Sequence, residues 1–430
     1  MHTMGCKVNQ FESQAMEKLL RDRGHQLAAD PADCDAFIVN TCAVTAEAGR
    51  KSRQAFRRIQ AQAPEGAVGV VSGCWSQIDP KSAAELGADV VAGSADREKL
   101  LELTEAVYAD RQRRTLLDAP LRRRTVEDLP AGNRESRTGT RDLLKIQDGC
   151  SNFCTYCIIP YARGPARSLP LDRVAARAAD LASSGCREIV FTGIEIASYG
   201  KDFKDGTTLA DAVETAAAAA PDARLRLGSL EPRVLTEEFV SRLAALGDRV
   251  CPHFHLSLQS GCDATLSRMH RRYTTEEFFA VTQRLRAAFP GCAIAADVIA
   301  GFPGETEEEF AETLAFLRRC RFAFLHVFPY SRRPGTPAAS MPGQLSNQEK
   351  KARAERAIAL GRELTEAYLD DCIGTVQTVL WEEPAGALWE GHGANYAVIR
   401  AKCSARRGEL AKVIIKSREK AVLFGDLCKE

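Results

Sequence analysis

Short apolar runs alternate with amphipathic stretches along the first quarter of the chain. The apolar runs predict three strands, at Ala36–Asn40, Val68–Ser72 and Ala88–Gly93. The stretches around them carry apolar residues at helical spacing and predict helices over Gln10–Arg23, Glu47–Ala63 and Ala95–Ala109. Strands that alternate with helices in this way are typical of a parallel α/β sheet.

The same alternation returns between residues 142 and 340. Six apolar runs predict strands at Leu143–Gln147, Glu188–Gly193, Arg224–Ser229, Phe254–Gln259, Ile294–Gly301 and Phe324–Pro329. One segment between them shows the helical period through Leu171, Val174, Ala175, Ala178, Leu181 and Ala182. Six β/α units of about 30 residues predict a partial, TIM-like (β/α)6 barrel with its active site at the carboxyl ends of the strands. The pattern alone leaves a doubly wound sheet as the alternative.

The last part of the chain changes character. A long helix is predicted over Ser346–Asp371, because Ser346 and Glu349 have the spacing of a capping box. After it come short β-like runs broken by glycine and proline, at Val376–Trp381, Asn395–Cys403, Leu410–Lys416 and Ala421–Leu427. They predict a small all-β module, a barrel by its run of short strands. Eight basic and two acidic residues between Arg400 and Lys420 suit contact with phosphates.

We therefore expect an N-terminal α/β domain over residues 1–112, a linker over 113–141, a barrel domain over 142–372 and a β module over 373–430. The stretch 111–141 carries nine arginines and four acidic residues, and its apolar residues follow neither the helical spacing nor the alternation of a strand. We interpret it as a surface linker. Its charge fits a solvated segment or, alternatively, contact with a polyanion.

Composition narrows the class of protein. The chain has 430 residues, 45% of them hydrophobic, and a net charge of +1, which argues against wholesale disorder and against a simple polycation. It has no apolar run near the roughly 18–20 residues that span a bilayer, and its first residues lack the apolar core of a signal peptide. We expect a soluble, cytoplasmic protein without a membrane partner. Its 15 cysteines are then metal ligands, catalytic thiols or small core residues, since cytosolic thiols stay reduced.

Three of these cysteines follow the first predicted barrel strand in C-x3-C-x2-C spacing: Cys150, Cys154 and Cys157. Three thiolates at this spacing suit three corners of a [4Fe–4S] cluster and leave the fourth iron open to chelate S-adenosylmethionine. Tyr156 is a candidate to pack against the adenine of that cofactor. A structural zinc site, which needs a fourth ligand, and accidental clustering are the alternatives.

The motif resembles the signature of the radical S-adenosylmethionine superfamily, and the resemblance extends along nearly the whole chain to its methylthiotransferase family. The matching segments are MGCKVNQFESQ, NTCAVTAEAGRKSRQAFRR, VVSGCWSQ, IQDGCSNFCTYCIIPYARGPARS, FTGIEIASYG, SLEP, HLSLQSGCDATLSRMHRRYT, DVIAGFPGETEEEF, HVFPYSRRPGTPA and WEGHGANY. The family combines an N-terminal α/β domain, a radical barrel and a C-terminal TRAM module. This agrees with the predicted order of domains.

The resemblance implies a second [4Fe–4S] cluster on Cys6, Cys42 and Cys74. The residues themselves support it, because Cys42 and Cys74 each follow a predicted parallel strand, and ligands collect at that edge of open α/β sheets. A buried core cysteine is the alternative at each position. The strand that precedes Cys6 in the family is nearly absent here, so we expect either a start placed too late in the sequence or a frayed sheet edge. Either would make the second cluster slightly less stable without changing its ligands.

Further cofactor contacts are expected at strand ends of the barrel. Gly193 and Glu195 of the TGIE segment end the second strand, where family members bind the amino group of the cofactor. Gly301 of GFPGET is a candidate for close approach to the cofactor, with a turn and capping motif as the alternative. Ser257 and Gln259 project toward the same end and are weaker candidates. His253 and His255 flank this strand, with ordinary packing as the simpler interpretation.

Two further sets are candidates for RNA contact. Asn395, Tyr396 and Arg400 combine an aromatic ring with polar and basic groups in the β module, although Tyr396 suits a core equally well. Basic residues follow the Cys42 loop on a predicted helix: Arg50, Lys51, Arg53, Arg57 and Arg58. A solvated helix surface explains the second set as well.

The resemblance implies a bifunctional radical enzyme. One S-adenosylmethionine donates a methyl group to sulfur on the Cys6/Cys42/Cys74 cluster, and a second is cleaved at the Cys150/Cys154/Cys157 cluster. The resulting radical removes hydrogen from the substrate carbon, which then accepts the methylthio group. The expected partners are tRNA at its anticodon loop, an electron donor such as flavodoxin or ferredoxin, and a sulfur donor.

The segment after Asn40 resembles the branch that modifies C2 of N6-threonylcarbamoyladenosine beside the tRNA anticodon. The sister branches, which act on isopentenyladenosine in tRNA or on an aspartate of a ribosomal protein, are alternatives. A non-enzymatic RNA-binding protein with a structural metal is the alternative outside catalysis.

Overall fold

The computed structural model describes residues 1–131 and 140–428. Its N-terminal unit is a five-stranded parallel sheet in the order β1-β2-β3-β4-β5. The strands are β1 (His2–Thr3), β2 (Ala36–Thr41), β3 (Val68–Gly73), β4 (Val90–Ala92) and β5 (Arg114–Leu116). The helices are α1 (Lys7–Asp22), α2 (Ala46–Gln62), α3 (Cys74–Ile78), α4 (Pro80–Ala84) and α5 (Arg97–Asp110).

The three predicted strands and three predicted helices of this unit are confirmed. The two outer strands were not predicted, because β1 is two residues long and β5 contains a single apolar residue, Leu116. Strand β5 lies within the segment predicted as a linker and completes the sheet beside β4. Residues 132–139 of that segment lie outside the described residues.

The second unit contains eight strands and eight helices among the described residues. The strands are β6 (Asp142–Lys145), β7 (Gln147–Asp148), β8 (Arg167–Ser168), β9 (Glu188–Thr192), β10 (Arg224–Arg226), β11 (His253–Gln259), β12 (Ala293–Ala300) and β13 (Phe324–Pro329). The helices are α6 (Ile159–Arg163), α7 (Leu171–Ser183), α8 (Leu209–Ala219), α9 (Glu237–Ala245), α10 (Asp263–Arg268), α11 (Thr275–Ala288), α12 (Glu307–Cys320) and α13 (Asn347–Asp371).

Six parallel strands of this unit stand side by side in chain order. Strand β9 pairs with β6 and β10, and β12 pairs with β11 and β13. Isolated bridges between Leu225 and Val250 and between Leu230 and Leu256 join the two halves. The order never reverses, which excludes a doubly wound sheet. In the described part of the chain no pairing joins β13 back to β6, so the predicted partial (β/α)6 barrel is confirmed.

The C-terminal unit is a closed barrel of five strands in the order β14-β15-β16-β18-β17. The strands are β14 (Val376–Ala385), β15 (Leu388–Gly393), β16 (Val398–Ala401), β17 (Leu410–Glu419) and β18 (Val422–Leu427). Four were predicted as β runs, and β15 was missed because its sequence LWEGHG lacks apolar alternation. The capping box of α13 is present: the Glu349 N–H donates to Ser346 Oγ at 3.2 Å, and the Ser346 N–H donates to Glu349 at 2.8 Å.

The β module docks on the amino ends of the barrel strands through backbone carbonyls. Arg224 donates to the carbonyl of Thr378 at 2.8 Å, and Arg226 donates to that of Ala394 at 3.0 Å. Both guanidinium groups are held by Glu188 at 2.6 Å. Burial alone would raise the pKa of Glu188, but the two arginines lower it to about 2.

This interface changes the interpretation of the β-module candidates for RNA contact. Tyr396 packs against the ring of His253 at 4.9 Å and beneath the guanidinium of Arg226. Asn395 is buried and donates to the Tyr368 hydroxyl at 3.0 Å, while Arg400 pairs with Glu390. The structure thus gives all three a role in holding the units together or in surface pairing. No helix in the described part of the chain combines the length and apolar character that crossing a membrane requires.

Candidate active site

The first cysteine triplet occupies the loop that follows β7. The Cys150 N–H donates to the carbonyl of Gly164 at 3.0 Å, and the Cys157 N–H donates to that of Cys154 at 2.9 Å, which folds the loop back on itself. Burial, Glu195 and then the neighbouring thiols raise the pKa of Cys150 to about 12, and burial and then Cys154 raise the pKa of Cys157 to about 12. The three sulfur atoms therefore lie within electrostatic range of one another, in an environment that favours thiolates only when a cation is bound.

Arg271 connects this triplet to the barrel interior. Its Nη1 donates to Cys154 Sγ at 3.4 Å, and its Nη2 donates to both the carbonyl and the hydroxyl of Ser257 at 3.0 Å. Ser257, a weak cofactor candidate, thus lies next to the cysteine loop. Gln259, two residues on, is buried and has a φ of 72° where the pairing of β11 shifts register.

Glu195 presents a free carboxylate oxygen at this end of the barrel. Its Oε1 is buried without a hydrogen-bond partner among the described residues. Burial raises the pKa of Glu195 to about 7, with Arg271 opposing this shift. The Glu195 N–H donates to Gln147 Oε1 at 2.8 Å, and Gly193 lies against the same glutamine. An unpaired carboxylate here suits a ligand that carries an ammonium group.

Tyr156 and Gly301, two further cofactor candidates, make packing contacts. Tyr156 packs edge-on against Phe302 at 6.5 Å, in an apolar cluster with Met269. Gly301 has a φ of +75°, and a Cβ there would meet the Lys350 backbone of α13 at 3.1 Å. The absence of a side chain at Gly301 therefore allows α13 to pack closely. Contact of either residue with a cofactor stays a prediction.

The second triplet assembles from three separate segments. Cys6 caps α1, Cys42 follows β2, and Cys74 begins α3 directly after β3. A Cβ on Gly5 would lie 2.9 Å from Cys42 Sγ, so the segment before Cys6 is in direct contact with Cys42. Burial, Cys74 and then Cys6 raise the pKa of Cys42 to about 12. The structure thus brings the three cysteines together at the carboxyl edge of the sheet.

Neither triplet is arranged around a single ion. Within residues 1–131 and 140–428, no three Cys, His, Asp or Glu side chains approach closely enough to hold one metal atom. An iron–sulfur cubane makes a different demand, because each thiolate binds a separate iron atom. Two observations fit such a group: all six donors are cysteine sulfur atoms, and within each triplet the thiols raise one another's pKa.

The two triplets meet across the interface between the first two units. Helix α6 leads from the Cys157 loop to Arg163, whose Nε donates to Cys74 Sγ at 3.1 Å. Cys74 and Cys157 also border one apolar cluster, which contains Ile159 and Trp75. On the other side, the Ala46 N–H near Cys42 donates to the Ser331 hydroxyl beyond β13 at 3.0 Å.

A buried network of charges stabilises this interface behind Cys74. Glu12 of α1 is completely buried and accepts from Lys145 of β6 at 2.8 Å and from Arg97 of α5 at 2.6 Å. Arg163 donates to Glu12 and lies 3.3 Å from Asp148. Burial alone would raise the pKa of both carboxyl groups, but the surrounding cations hold each pKa well below its usual range.

Sequence reasoning missed Arg163 and Arg271, which each donate to one sulfur of a triplet. Both lie in segments that were quoted for the resemblance, IIPYARGPARS and MHRRYT. For Arg163 a signal was available, because it lies six residues after Cys157, whereas Arg271 is 117 residues from Cys154 and no local pattern pointed to it. Their roles could be assigned only from the structure, which shows which arginine donates to which cysteine sulfur.

Two protein-family models match the chain. The model described as the radical SAM superfamily matches residues 144–317. The model described as uncharacterized protein family UPF0004 matches residues 1–93. A radical SAM domain implies S-adenosylmethionine and one [4Fe–4S] cluster, which assigns a cofactor class to the barrel.

Solved structures resemble the chain in fold. The radical S-adenosylmethionine methyltransferase TsrM from Kitasatospora setae superposes with a TM-score of 0.56 at 17% identity, over 86% of this chain and 77% of that one. The cobalamin-dependent radical enzyme OxsB superposes with a TM-score of 0.52 at 10% identity, over 85% of this chain and 56% of that one. At these identities the likeness concerns the fold alone.

Curated relatives match at higher identity. The threonylcarbamoyladenosine tRNA methylthiotransferase MtaB of Bacillus subtilis is 40% identical over 89% of this chain and 84% of its own length. The MtaB of Thermotoga maritima is 34% identical over 97% and 94%. The tRNA-2-methylthio-N(6)-dimethylallyladenosine synthase of Moorella thermoacetica is 35% identical over 89% and 86%. The chain belongs to the radical S-adenosylmethionine methylthiotransferase family.

Proposed function

We propose that the protein transfers a methylthio group to C2 of N6-threonylcarbamoyladenosine in tRNA. The relatives named for this activity match nearly the whole chain, at up to 40% identity. The observation that carries the proposal is the contact of Arg163 with Cys74, which joins the two cysteine triplets across one interface. Insertion of sulfur next to a radical site requires both centres to share one cavity.

We assign one [4Fe–4S] cluster to each triplet. Cys150, Cys154 and Cys157 would hold the first, and Cys6, Cys42 and Cys74 would hold the second. The three thiolates of the first triplet would hold a cluster that, when bound and reduced, would supply the electron for cleavage of S-adenosylmethionine. The carboxylate of Glu195 would accept the ammonium group of this cofactor, since its Oε1 is buried without a hydrogen-bond partner among the described residues.

The N-terminal unit closes the open side of the barrel in this proposal. Helix α1 packs against β6 through Phe11, Ala15 and Leu143, while Leu129 covers the same seam. Cys42 and Cys74 are buried, whereas Cys6 is exposed. Cys6 is therefore the member of the second triplet that a substrate could reach.

The tRNA would approach over basic surfaces beside this opening. Helix α2 begins shortly after Cys42. Four of its arginines line a shallow groove, three of them exposed and Arg53 half-buried: Arg50, Arg53, Arg57 and Arg58. Phosphates of an anticodon loop suit such a groove, and a loop base enters a cavity without the opening of a duplex. We place the reaction in the cytoplasm, with a flavodoxin or ferredoxin as electron donor and a separate sulfur donor.

The test compares three substrates with the reconstituted holoenzyme under reducing conditions. Anticodon stem–loops carrying N6-threonylcarbamoyladenosine or isopentenyladenosine, and the ribosomal protein of the sister branch, are incubated separately and analysed by mass spectrometry. We expect a methylthio product on the first substrate. A mark on the isopentenyladenosine RNA or on the protein, with none on the first, would overturn the proposed substrate.

The same substrate can be followed in cells. In a deletion strain without a redundant enzyme, 2-methylthio-N6-threonylcarbamoyladenosine is expected to disappear from total tRNA. Its persistence at the parental level would contradict the proposal, whereas its restoration by the intact gene and not by a Cys154→Ala variant would support it.

A further inference from the structure

The loop after β13 connects the two cysteine triplets. Ser331 accepts a hydrogen bond from the Ala46 N–H at 3.0 Å, on the segment that leads from Cys42 into α2. Seven residues further on, the Ala338 N–H donates to the carbonyl of Thr155 at 2.8 Å, between the second and third cysteines of the first triplet. One short loop of the second unit is therefore fixed to both triplets.

Arg333 lies inside this loop. Its carbonyl accepts from the N–H of Thr336 at 3.1 Å and from the hydroxyl of the same residue at 2.7 Å, which closes a tight turn. Arg333 is two residues from Ser331, so the two Cα atoms lie within about 7 Å of each other. The hydrogen bonds of the loop thus place Arg333 beside the segment that follows Cys42.

The guanidinium group of Arg333 is a buried cation without a counter-charge in the described part of the chain. The residue is 8% exposed, and its Nε is buried without a hydrogen-bond partner among the described residues. Buried arginines elsewhere have a carboxylate partner, as Arg226 has in Glu188. A buried charge is unfavourable unless an opposite charge binds beside it, so the guanidinium of Arg333 calls for an anion that arrives with a ligand.

The surroundings of Arg333 border the second triplet. Burial lowers the pKa of Arg333, the Cys42 thiol opposes this shift, and Arg53 adds to it. The guanidinium of Arg53 stands over the ring of Trp75, 5.5 Å from the ring centroid, and Trp75 directly follows Cys74. A second cation therefore approaches the same triplet from α2.

A line of arginines leads from the surface of α2 to this place. Arg53 also lines the shallow groove of α2, together with Arg50, Arg57 and Arg58. Successive cations along a path match the regularly spaced charges of a nucleic-acid backbone, whereas a single small anion needs only one site. In the proposed function the base to be modified enters the space between the triplets, so the phosphates beside that base pass the inner end of this path.

We propose that Arg333 binds the phosphodiester beside the target adenosine and holds that nucleotide with its base between the two triplets. The inference rests on the proposed function and deepens it, because it names the residue that fixes the reacting nucleotide. A guanidinium group binds a phosphate through two parallel N–H···O bonds, which set the orientation of the nucleotide as well as its affinity. The arginines of α2 then bind phosphates further along the RNA.

The test neutralises one phosphate at a time. Anticodon stem–loops with N6-threonylcarbamoyladenosine carry an uncharged methylphosphonate linkage on the 5′ side or on the 3′ side of this nucleoside, and a stem–loop with the same linkage in its stem is the control. The Kd of each for the reconstituted holoenzyme without S-adenosylmethionine is measured by fluorescence anisotropy. We expect at least one of the two loop linkages to weaken binding by about tenfold or more, and the stem linkage to weaken it by about twofold or less.

Variants assign this phosphate to Arg333. Arg333→Gln should weaken binding of the fully charged stem–loop by about tenfold, and the neutral loop linkage should then cost about twofold or less in addition. Arg333→Lys should lose less affinity, because the charge remains while the two-point geometry is lost. Arg362→Gln, at an exposed position of α13, is the matched control and keeps the full effect of the neutral linkage. Iron content and circular dichroism are measured for every variant, so that a lost cluster or fold is recognised.

Three results overturn the inference. One is a wild type that binds all the stem–loops alike, and another is a neutral loop linkage that costs Arg333→Gln as much as it costs the wild type. The third is an Arg333→Gln variant that binds RNA normally and loses affinity for S-adenosylmethionine, which would assign the guanidinium to the carboxylate of that cofactor.

The proposed function is judged separately. Methylthio transfer by the wild type to N6-threonylcarbamoyladenosine still stands after any of these three results. A phosphate effect without methylthio product on this RNA would instead overturn the proposed substrate alone. If Arg333→Gln loses its fold or its iron, the methylphosphonate series with the wild type and with Arg333→Lys decides.

Discussion

The two cysteine triplets reach similar surroundings by different routes. Cys150, Cys154 and Cys157 lie on one loop whose own backbone hydrogen bonds shape it. Cys6, Cys42 and Cys74 come from three segments that meet only after the parallel sheet has formed. The comparison teaches that ligands on one loop can be recognised from their sequence spacing. Ligands at the edge of a sheet are brought together only when the whole domain has folded.

In each triplet one cysteine sulfur accepts a hydrogen bond from an arginine, and the two arginines differ in their relation to the units of the fold. Arg271 belongs to the barrel, as does its target Cys154. Arg163 belongs to the barrel but donates to Cys74 in the N-terminal unit. The second triplet is therefore completed by the docking of two units, and we expect it to respond to changes at their interface.

The largest expected effect separates the chemistry of the two triplets. Cys154→Ala should abolish both 5′-deoxyadenosine and methylthio product, because the first cluster loses a ligand. Cys42→Ala should abolish the methylthio product and still form 5′-deoxyadenosine. Liquid chromatography with mass spectrometry measures both products, and Cys34→Ala, a cysteine outside either triplet, is the control. Retained methylthio transfer in Cys42→Ala would show that the second triplet is dispensable.

The next effect concerns stability at the interface. Arg163→Gln removes one of the buried cations that surround Glu12 and Asp148, while Lys145 still pairs with both. The substitution should lower the free energy of unfolding by about 3 kcal/mol. Arg271→Gln removes bonds to Cys154 and Ser257 and should cost about 1–3 kcal/mol. Urea titration followed by far-UV circular dichroism measures both losses. Equal losses in the two variants would argue against the special dependence of the second triplet on docking.

The pH dependence of stability tests the contribution of the buried charge network at this interface. The pKa of Glu12 is lower in the folded protein than in the unfolded chain, so its contribution is present at neutral pH and is lost as the pH falls below the ordinary carboxyl range. The difference in unfolding free energy between wild type and Glu12→Gln should therefore shrink from pH 7 to pH 3. A difference that stays constant over this range would contradict the buried network.

The smallest expected effect concerns the approach of RNA on the side of the second triplet. Arg57→Gln should weaken binding of an anticodon stem–loop only a few fold and should reduce the slope of log K against log salt by about 0.7–0.9, the value for one phosphate contact. Lys351→Gln on α13 serves as the control and should leave the slope unchanged. Fluorescence anisotropy at several salt concentrations provides the measurement. An unaltered slope in Arg57→Gln would show that Arg57 of α2 does not contact the RNA.

Most strands and helices could be predicted from the sequence, because long apolar runs and helical spacing can be recognised without knowledge of the tertiary structure. It did not predict β1, β5 or β15, which are short or polar and owe their pairing to a neighbouring strand. Tyr396 shows the same limit for the site. An aromatic residue beside basic groups suited RNA, and docking of the β module placed it against His253 instead.

The functional residues divide in the same way. The spacing of Cys150, Cys154 and Cys157 was sufficient to propose a ligand set, since one loop holds them. Arg163 acts on Cys74 from another unit, and the loop after β13 brings Arg333 beside the second triplet. Such placements become visible only when the docking of the units is known.

Iron and acid-labile sulfide analysis tests the central claim most directly, that each triplet holds its own cluster. The anaerobically reconstituted wild type is expected to bind about eight iron atoms per chain. The variant in which Cys6, Cys42 and Cys74 are all alanine, and the variant with alanine at Cys150, Cys154 and Cys157, should each bind about four. An N-terminal triple variant that binds as much iron as the wild type would contradict the account.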